Sequence, residues 1–178
     1  DYVGGGKKLL ADERTHIFKV ENGQRIIDVK IIFIAEHGDC LLGDKKDAGF
    51  SVRIATSMDV DSKKGGHIIN SKGVTDKDAW GKRAEWVDYY GPVNGKRVGV
   101  AILNHPSSFR HPTPWHVRTY GLFTANPFGL KSLRQGKEGA FTLGKGKSIT
   151  LRHRVIFHQG DEKAAKIAEA YKAYAKEK

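Results

Sequence analysis

The sequence predicts a mainly β protein, an antiparallel β-sandwich with one C-terminal α-helix. Twenty-one glycines and frequent β-branched residues divide the chain into short extended segments, and long amphipathic stretches are few. Two Asn-Gly pairs, Asn22-Gly23 and Asn94-Gly95, lie between such segments, where tight hairpin turns belong. A chain of 178 residues is long enough for one ordinary domain with a hydrophobic core, so residues 1–178 read as a single sandwich domain.

Residues 15–20 and 26–35 read as strands joined at Glu21-Asn22-Gly23-Gln24. In the second, Ile27, Val29, Ile31 and Phe33 share one face, while Ile32 and Ile34 make the other partly apolar, as expected of a central strand. Residues 44–47 form a charged loop, after which Phe50, Val52 and Ile54 alternate with Ser51, Arg53 and Ala55 as in a strand buried on one side. Over residues 58–79 the pattern dissolves into a long excursion around one short strand at residues 67–70. Pairing resumes at residues 83–90, turns at Val93-Asn94-Gly95-Lys96 and returns along residues 97–103. Residues 120–124 make a further strand, broken at Asn126-Pro127-Phe128-Gly129. Residues 140–143 and 148–158 are expected to form a hairpin around Gly144-Lys145-Gly146-Lys147, with Ile149, Leu151, Val155 and Phe157 facing the core. The last segment changes period: Ile167, Tyr171 and Tyr174 fall at i, i+4 and i+7, which predicts an amphipathic helix begun near Asp161 and docked on the sheet.

The net charge of +11 is unevenly spread. Residues 1–80 carry thirteen basic and thirteen acidic side chains, whereas residues 81–158 carry thirteen basic against three acidic. Such asymmetry points to an anionic partner: an acidic polysaccharide or another anionic ligand. Nucleic acid is a poor fit, because no zinc-finger, helix-turn-helix or RNP-like pattern is present. Neither Gly4-Gly5-Gly6-Lys7 nor Gly144-Lys145-Gly146-Lys147 has the spacing of a phosphate-cradling loop. No window offers the roughly 20 apolar residues of a membrane span. The single cysteine, Cys40, has no partner for a disulfide and reads as a buried structural thiol. The chain shows no signal peptide, and its abrupt start at Asp1-Tyr2-Val3 leads to the expectation of a processed form or a fragment.

Chemistry concentrates between residues 103 and 118, where His105, His111 and His116 fall within twelve residues among prolines and arginines. A loop held between strands is where a rigid scaffold presents functional side chains. Three imidazoles at this spacing suit a folded-loop site for copper or zinc. Without a metal, one histidine serves as general acid or base, Arg110 or Arg118 holds an anionic group, and Trp115 offers a ring face to a sugar. Carboxylates are scarce: Glu85 and Asp88 are the only acids between Asp78 and Glu138, and their odd separation on a strand points them to opposite faces. A two-carboxylate glycosidase is hard to build from this segment, which leaves Glu85 as the carboxylate partner for a histidine. His153 reads as a satisfied sheet histidine, with His158 on the opposite face near the sheet end.

The strings Ala79-Trp80-Gly81, Ala84-Glu85-Trp86-Val87-Asp88-Tyr89-Tyr90-Gly91, Asn104-His105-Pro106, Arg110-His111-Pro112, Trp115-His116-Val117-Arg118 and Ala125-Asn126-Pro127-Phe128-Gly129 resemble the bacterial PmoA-like family. The likeness runs from about Leu9 to about Tyr174. It implies a sandwich like that of sugar mutarotases, a secreted or periplasmic location, and a shared pocket of Asn104, His105, His111, Trp115, His116, Arg118 and Asn126. Relatives usually carry a longer N-terminal part, so this chain is expected to lack a portion of the family domain. The leading expectation is a carbohydrate-directed protein, plausible as an enzyme, using His105, His111, His116 and Glu85 for proton transfer, with Asn104, Arg110, Trp115, Arg118 and Asn126 on the ligand. Two alternatives stand beside it. One is a non-catalytic, self-assembling module with a basic face, and the other is an oxygenase-like copper or zinc site on the three histidines.

Overall fold

The computed structural model describes residues 1–178 and contains strands β1 (Tyr2–Gly4), β2 (Lys7–Glu21), β3 (Gln24–Ile34), β4 (Cys40–Leu42), β5 (Phe50–Arg53), β6 (His67–Asn70), β7 (Trp86–Val93), β8 (Lys96–Asn104), β9 (Trp115–Val117), β10 (Leu122–Ala125), β11 (Phe141–Leu143) and β12 (Ser148–Gln159), then helix α1 (Ile167–Tyr174). A seven-stranded antiparallel sheet runs β1-β2-β3-β12-β8-β7-β6, and a three-stranded sheet runs β5-β10-β9. Both Asn-Gly pairs make the expected hairpins. Asn22 and Gly23 take φ of 51° and 76°, and Asn94 and Gly95 take 48° and 76°; two successive left-handed residues are what a type I′ turn requires.

Alternation gives the large sheet two apolar faces. On one, Ile68, Val87, Tyr89, Ile102 and Val155 pack against Trp115, Val117, Phe123 and Ala125 of the small sheet. On the other, Trp86, Ala101, Leu103 and Ile156 pack against Ile167 and Tyr174 of α1. The protein is therefore mainly β, with two antiparallel sheets face to face and a single helix behind the larger one. β3 is central as expected, between β2 and β12.

Three expectations change. Residues 140–143 do not form a hairpin with 148–158: β11 pairs with β4, a strand the alternation did not reveal, because both edges of β12 are taken. β3 takes one edge, and the other is taken by β8 from His153 onward and, before it, by the segment of His105 and Phe109, whose N–H groups donate to the Arg152 and Thr150 carbonyls. The helix begins at Ile167 rather than near Asp161. Asp161 does accept the Ala164 N–H at 3.0 Å, but Lys166 adopts a left-handed φ of 54° that separates this first turn from α1. Phe157 alternates with core residues, yet it lies beyond the edge of the small sheet and is 40% exposed.

Candidate functional site

β8 carries the chain into the histidine loop, which continues along β12. His105 N–H donates to the Arg152 carbonyl at 3.0 Å and Phe109 N–H to that of Thr150 at 2.8 Å. The Ser108 hydroxyl donates to the Arg152 carbonyl at 2.8 Å and accepts the Arg152 N–H at 2.7 Å. Arg83 holds the far side of the loop by donating to the carbonyls of Arg110 (3.3 Å) and Pro112 (2.6 Å). The loop is thus pinned from both directions.

The three histidines have separate fates. Nε2 of His105 donates to the Glu177 carbonyl at 2.9 Å, its Nδ1 accepts the Ser107 N–H at 3.1 Å, and its ring meets Tyr174 edge-on at 4.9 Å. It anchors the C-terminal segment, with no lone pair to spare. His116 is buried, and its Nδ1 donates to the Lys46 carbonyl at 2.7 Å. The expected copper or zinc site at His105, His111 and His116 is not formed, since nowhere do three or more His, Cys, Asp or Glu side chains converge in a way that could hold a metal ion.

His111 is different. It is half-buried at the loop's tip, and its Nδ1 lies 3.0 Å from Asn104 Oδ1. That oxygen also accepts the Thr113 N–H at 3.2 Å, which orients it as an acceptor and assigns the imidazole proton to Nδ1. Nε2 is left as the basic nitrogen, 3.5 Å from the Tyr171 hydroxyl of α1. Burial lowers the His111 pKa, Glu85 pulls it partly back and His105 lowers it further. Burial of Glu85 opposes its ionisation, but the Ser71 hydroxyl, its own N–H, Lys72 and His111 outweigh that and hold its pKa low. Burial, and then the Glu85 charge, raise the pKa of Tyr171. Near neutral pH the group is a carboxylate, a neutral imidazole and a phenol, with Asn104 setting the tautomer. Glu85 precedes the first residue of β7, so strand alternation does not bind it, and it comes to the helix side as Asp88 does.

Three of the other expected ligand residues are tied up within the protein. Trp115 is fully buried and donates its indole N–H to the Ala84 carbonyl at 2.9 Å, so it has no free ring face for a sugar. Asn126 uses both ends of its amide: Nδ2 donates to the carbonyls of Lys45 and Lys46, each at 2.8 Å, and Oδ1 accepts from Phe128 (2.8 Å) and Gly129 (3.0 Å). Arg110 donates to the carbonyls of Pro127 (3.0 Å) and Gly139 (2.7 Å) and lies over Phe109 and Phe141. Arg118 is exposed and rests over Tyr120 at 5.4 Å. Trp115, Asn126 and Arg110 hold the core and loops, Arg118 alone of these stays exposed, and His111 is the one histidine of the expected set coupled to Glu85.

Sequence reading passed over several neighbours. Tyr171 was legible as a helix-face residue, but nothing local joins it to His111. Asp44, read as part of a charged loop, accepts from the N–H groups of Lys131, Ser132 and Gly139 and from the Ser132 hydroxyl. Burial opposes its ionisation, yet these donors hold its pKa down at about 2. Cys40 is half-buried on β4 and unpaired.

A family model matches residues 1–172 of the chain. The chain belongs to DUF6807, a family of unknown function. This corrects the PmoA-like reading: the strings that suggested it lie inside the DUF6807 match, and the secretion, the mutarotase likeness and the missing N-terminal part that it implied lose that support. No curated protein and no solved structure matches this DUF6807 chain.

Proposed function

We propose that this protein acts on a carbohydrate by proton transfer, with His111 as the base, Tyr171 as the hydroxyl opposite it and Glu85 as the charge that steadies the imidazolium. One observation carries the reading. His111 is the half-buried loop histidine whose basic Nε2 faces a phenol and whose charge is coupled to a carboxylate, whereas His116 is fully buried. A half-buried imidazole with a lowered pKa is neutral at physiological pH, the state a general base needs. A sugar hydroxyl is a suitable proton source, and Asn104 fixes the ring so that the same nitrogen can return the proton.

The test is turnover and binding across a panel of reducing sugars, followed by NMR, for the native protein and the His111→Gln and Tyr171→Phe variants. His111→Gln is expected to lower turnover by roughly 100-fold or more, with little change in stability, because the ring is half-exposed. Turnover should fall on the acid side as His111 protonates, below the usual histidine range. A sugar turned over equally well by both variants would sink the proposal.

A second reading, a self-assembling module, has its own supporting observation. β1 pairs with β2 only as far as Leu10, and along the rest of that edge Ile17, Phe18 and Val20 are 49%, 75% and 74% exposed. A long open strand edge with apolar side chains is a template for pairing with another chain.

A further inference from the structure

We propose that the surface around Trp80 binds a linear acidic polysaccharide, a chain of carboxylate or sulfate groups that crosses Trp80 from one basic cleft into another. The first cleft, about 410 Å³, is lined by Lys72, Lys82, Arg83 and Arg134 together with Trp80 and Gln135. The second, about 200 Å³, holds Lys77 and Arg118 and shares Trp80 with the first. No carboxylate lines either cleft, and none of these six cations belongs to an ion pair. Glu85 bears electrostatically on Lys72, so part of that one charge is offset. Clustered cations without counter-charges repel one another, and a surface that keeps them favours an anion arriving from solution.

The first cleft is built rather than incidental. Gln135 Nε2 donates to the carbonyls of Gly81 (2.5 Å) and Leu133 (3.0 Å), while its Oε1 accepts Arg83 Nε at 3.1 Å. Arg83 Nη1 is spent on the histidine loop, and its Nη2 makes no hydrogen bond within the protein. Gly81 closes the wall. It has a φ of 73°, and a Cβ there would lie 2.9 Å from the Leu133 carbonyl, so only glycine lets the two segments approach. Trp80, the residue the two clefts share, also carries an unmet donor: its indole N–H is buried and has no acceptor in the protein.

The shape favours an acidic sugar chain over single-stranded nucleic acid. Trp80 is the only aromatic residue lining either cleft, Arg134 stands over its ring at 5.5 Å, and His116 meets it edge-on. No row of rings is present on which successive bases could stack. The site does not depend on His111 being reactive, although Lys72 places the first cleft next to Ser71 and Glu85.

Isothermal titration with polygalacturonate, dextran sulfate, neutral dextran and oligothymidylate tests the site. The native protein should bind one or both acidic polysaccharides, more weakly as salt rises, and should not bind dextran. Lys82→Ala/Arg134→Ala in the first cleft and Lys77→Ala/Arg118→Ala in the second should each weaken that binding roughly tenfold. These side chains are exposed, so circular dichroism should be unchanged. Lys145→Ala/Lys147→Ala, which removes the same charge elsewhere, should leave affinity as it was. His111→Gln should bind as the native protein does, which separates this proposal from the catalytic one. Failure to bind either acidic polysaccharide at low salt overturns it, as do equal losses in the Lys145/Lys147 control, an effect confined to one cleft, or tighter binding of oligothymidylate.

Discussion

At the scale of single residues, two buried histidines on opposite faces of β12 give the protein opposed responses to pH. His153 lies on the sandwich side, stacked on Phe50 at 5.0 Å and 13°, with neither ring nitrogen hydrogen-bonded. It was expected to be satisfied, but the face that alternation assigns to it is filled with apolar side chains. Burial drives its pKa down to about 3, offset slightly by the Leu103 backbone. The unfolded chain therefore binds the extra proton, and stability that is complete above the ordinary histidine value drains as pH falls toward about 3, by up to roughly 4 kcal/mol. His153→Leu is expected to remove that acid loss and to stabilise by about 1–3 kcal/mol near neutral pH, as read by urea denaturation at neutral and mildly acidic pH; unchanged acid sensitivity would count against this account. His158 has the opposite sign. Burial works against its charge, but Asp88, with Oδ1 2.9 Å from His158 Nε2, raises its pKa overall. Its contribution is fully present below the ordinary histidine value and is lost as pH rises through the raised one.

At the scale of elements, a strand glycine makes room for that pair. His158 on β12 reaches over Gly99 of β8 to Asp88 of β7, and a Cβ on Gly99 would lie 2.3 Å from His158 Cε1. Gly99→Ala should force the ring aside and leave Asp88 buried beside a broken partner, a loss of about 3–5 kcal/mol, seen as a lowered denaturation midpoint with an unchanged slope. A cost under about 1 kcal/mol would show that the pair tolerates displacement. The helix is coupled to the sheet in the same way: Tyr174 sits between His105 and the Arg154 guanidinium, 4.5 Å from its ring, and Arg154 in turn pairs with Asp28 and Glu177. Docking of α1 is what carries Tyr171 to His111, so an element whose amphipathic period signals only packing also completes the candidate site.

At the scale of the whole molecule, the small sheet covers only part of one face of the large one. Phe18, Val20 and Phe157 stay exposed beyond it, around a cleft of about 520 Å³ that they line with Ile26 and Ile27. If this edge mediates self-association, sedimentation should show a dimer or larger species at high concentration, and Phe18→Ser/Val20→Ser should return it to monomer. A native protein that remains monomeric would dispose of that reading. The basic surface is a separate region, set by the loops around Trp80.

Much of this architecture was local information. The two Asn-Gly hairpins, the central place of β3, the short strand within the long excursion and the terminal helix all follow from turn chemistry and from periods of two and 3.6, which act between neighbours in the chain. The concentration of positive charge in residues 81–158 was equally plain. What only the tertiary structure decided was partnership at a distance. β11 found β4 because β12 had no free edge; His105 and His116 were spent on backbone carbonyls of remote segments; Trp115 was taken into the core. Glu85, His111 and Tyr171 met only because three segments far apart in the chain dock on the same side of one sheet. Residue type states what a side chain can do, but burial and the occupancy of neighbouring edges determine which of those capacities remain free.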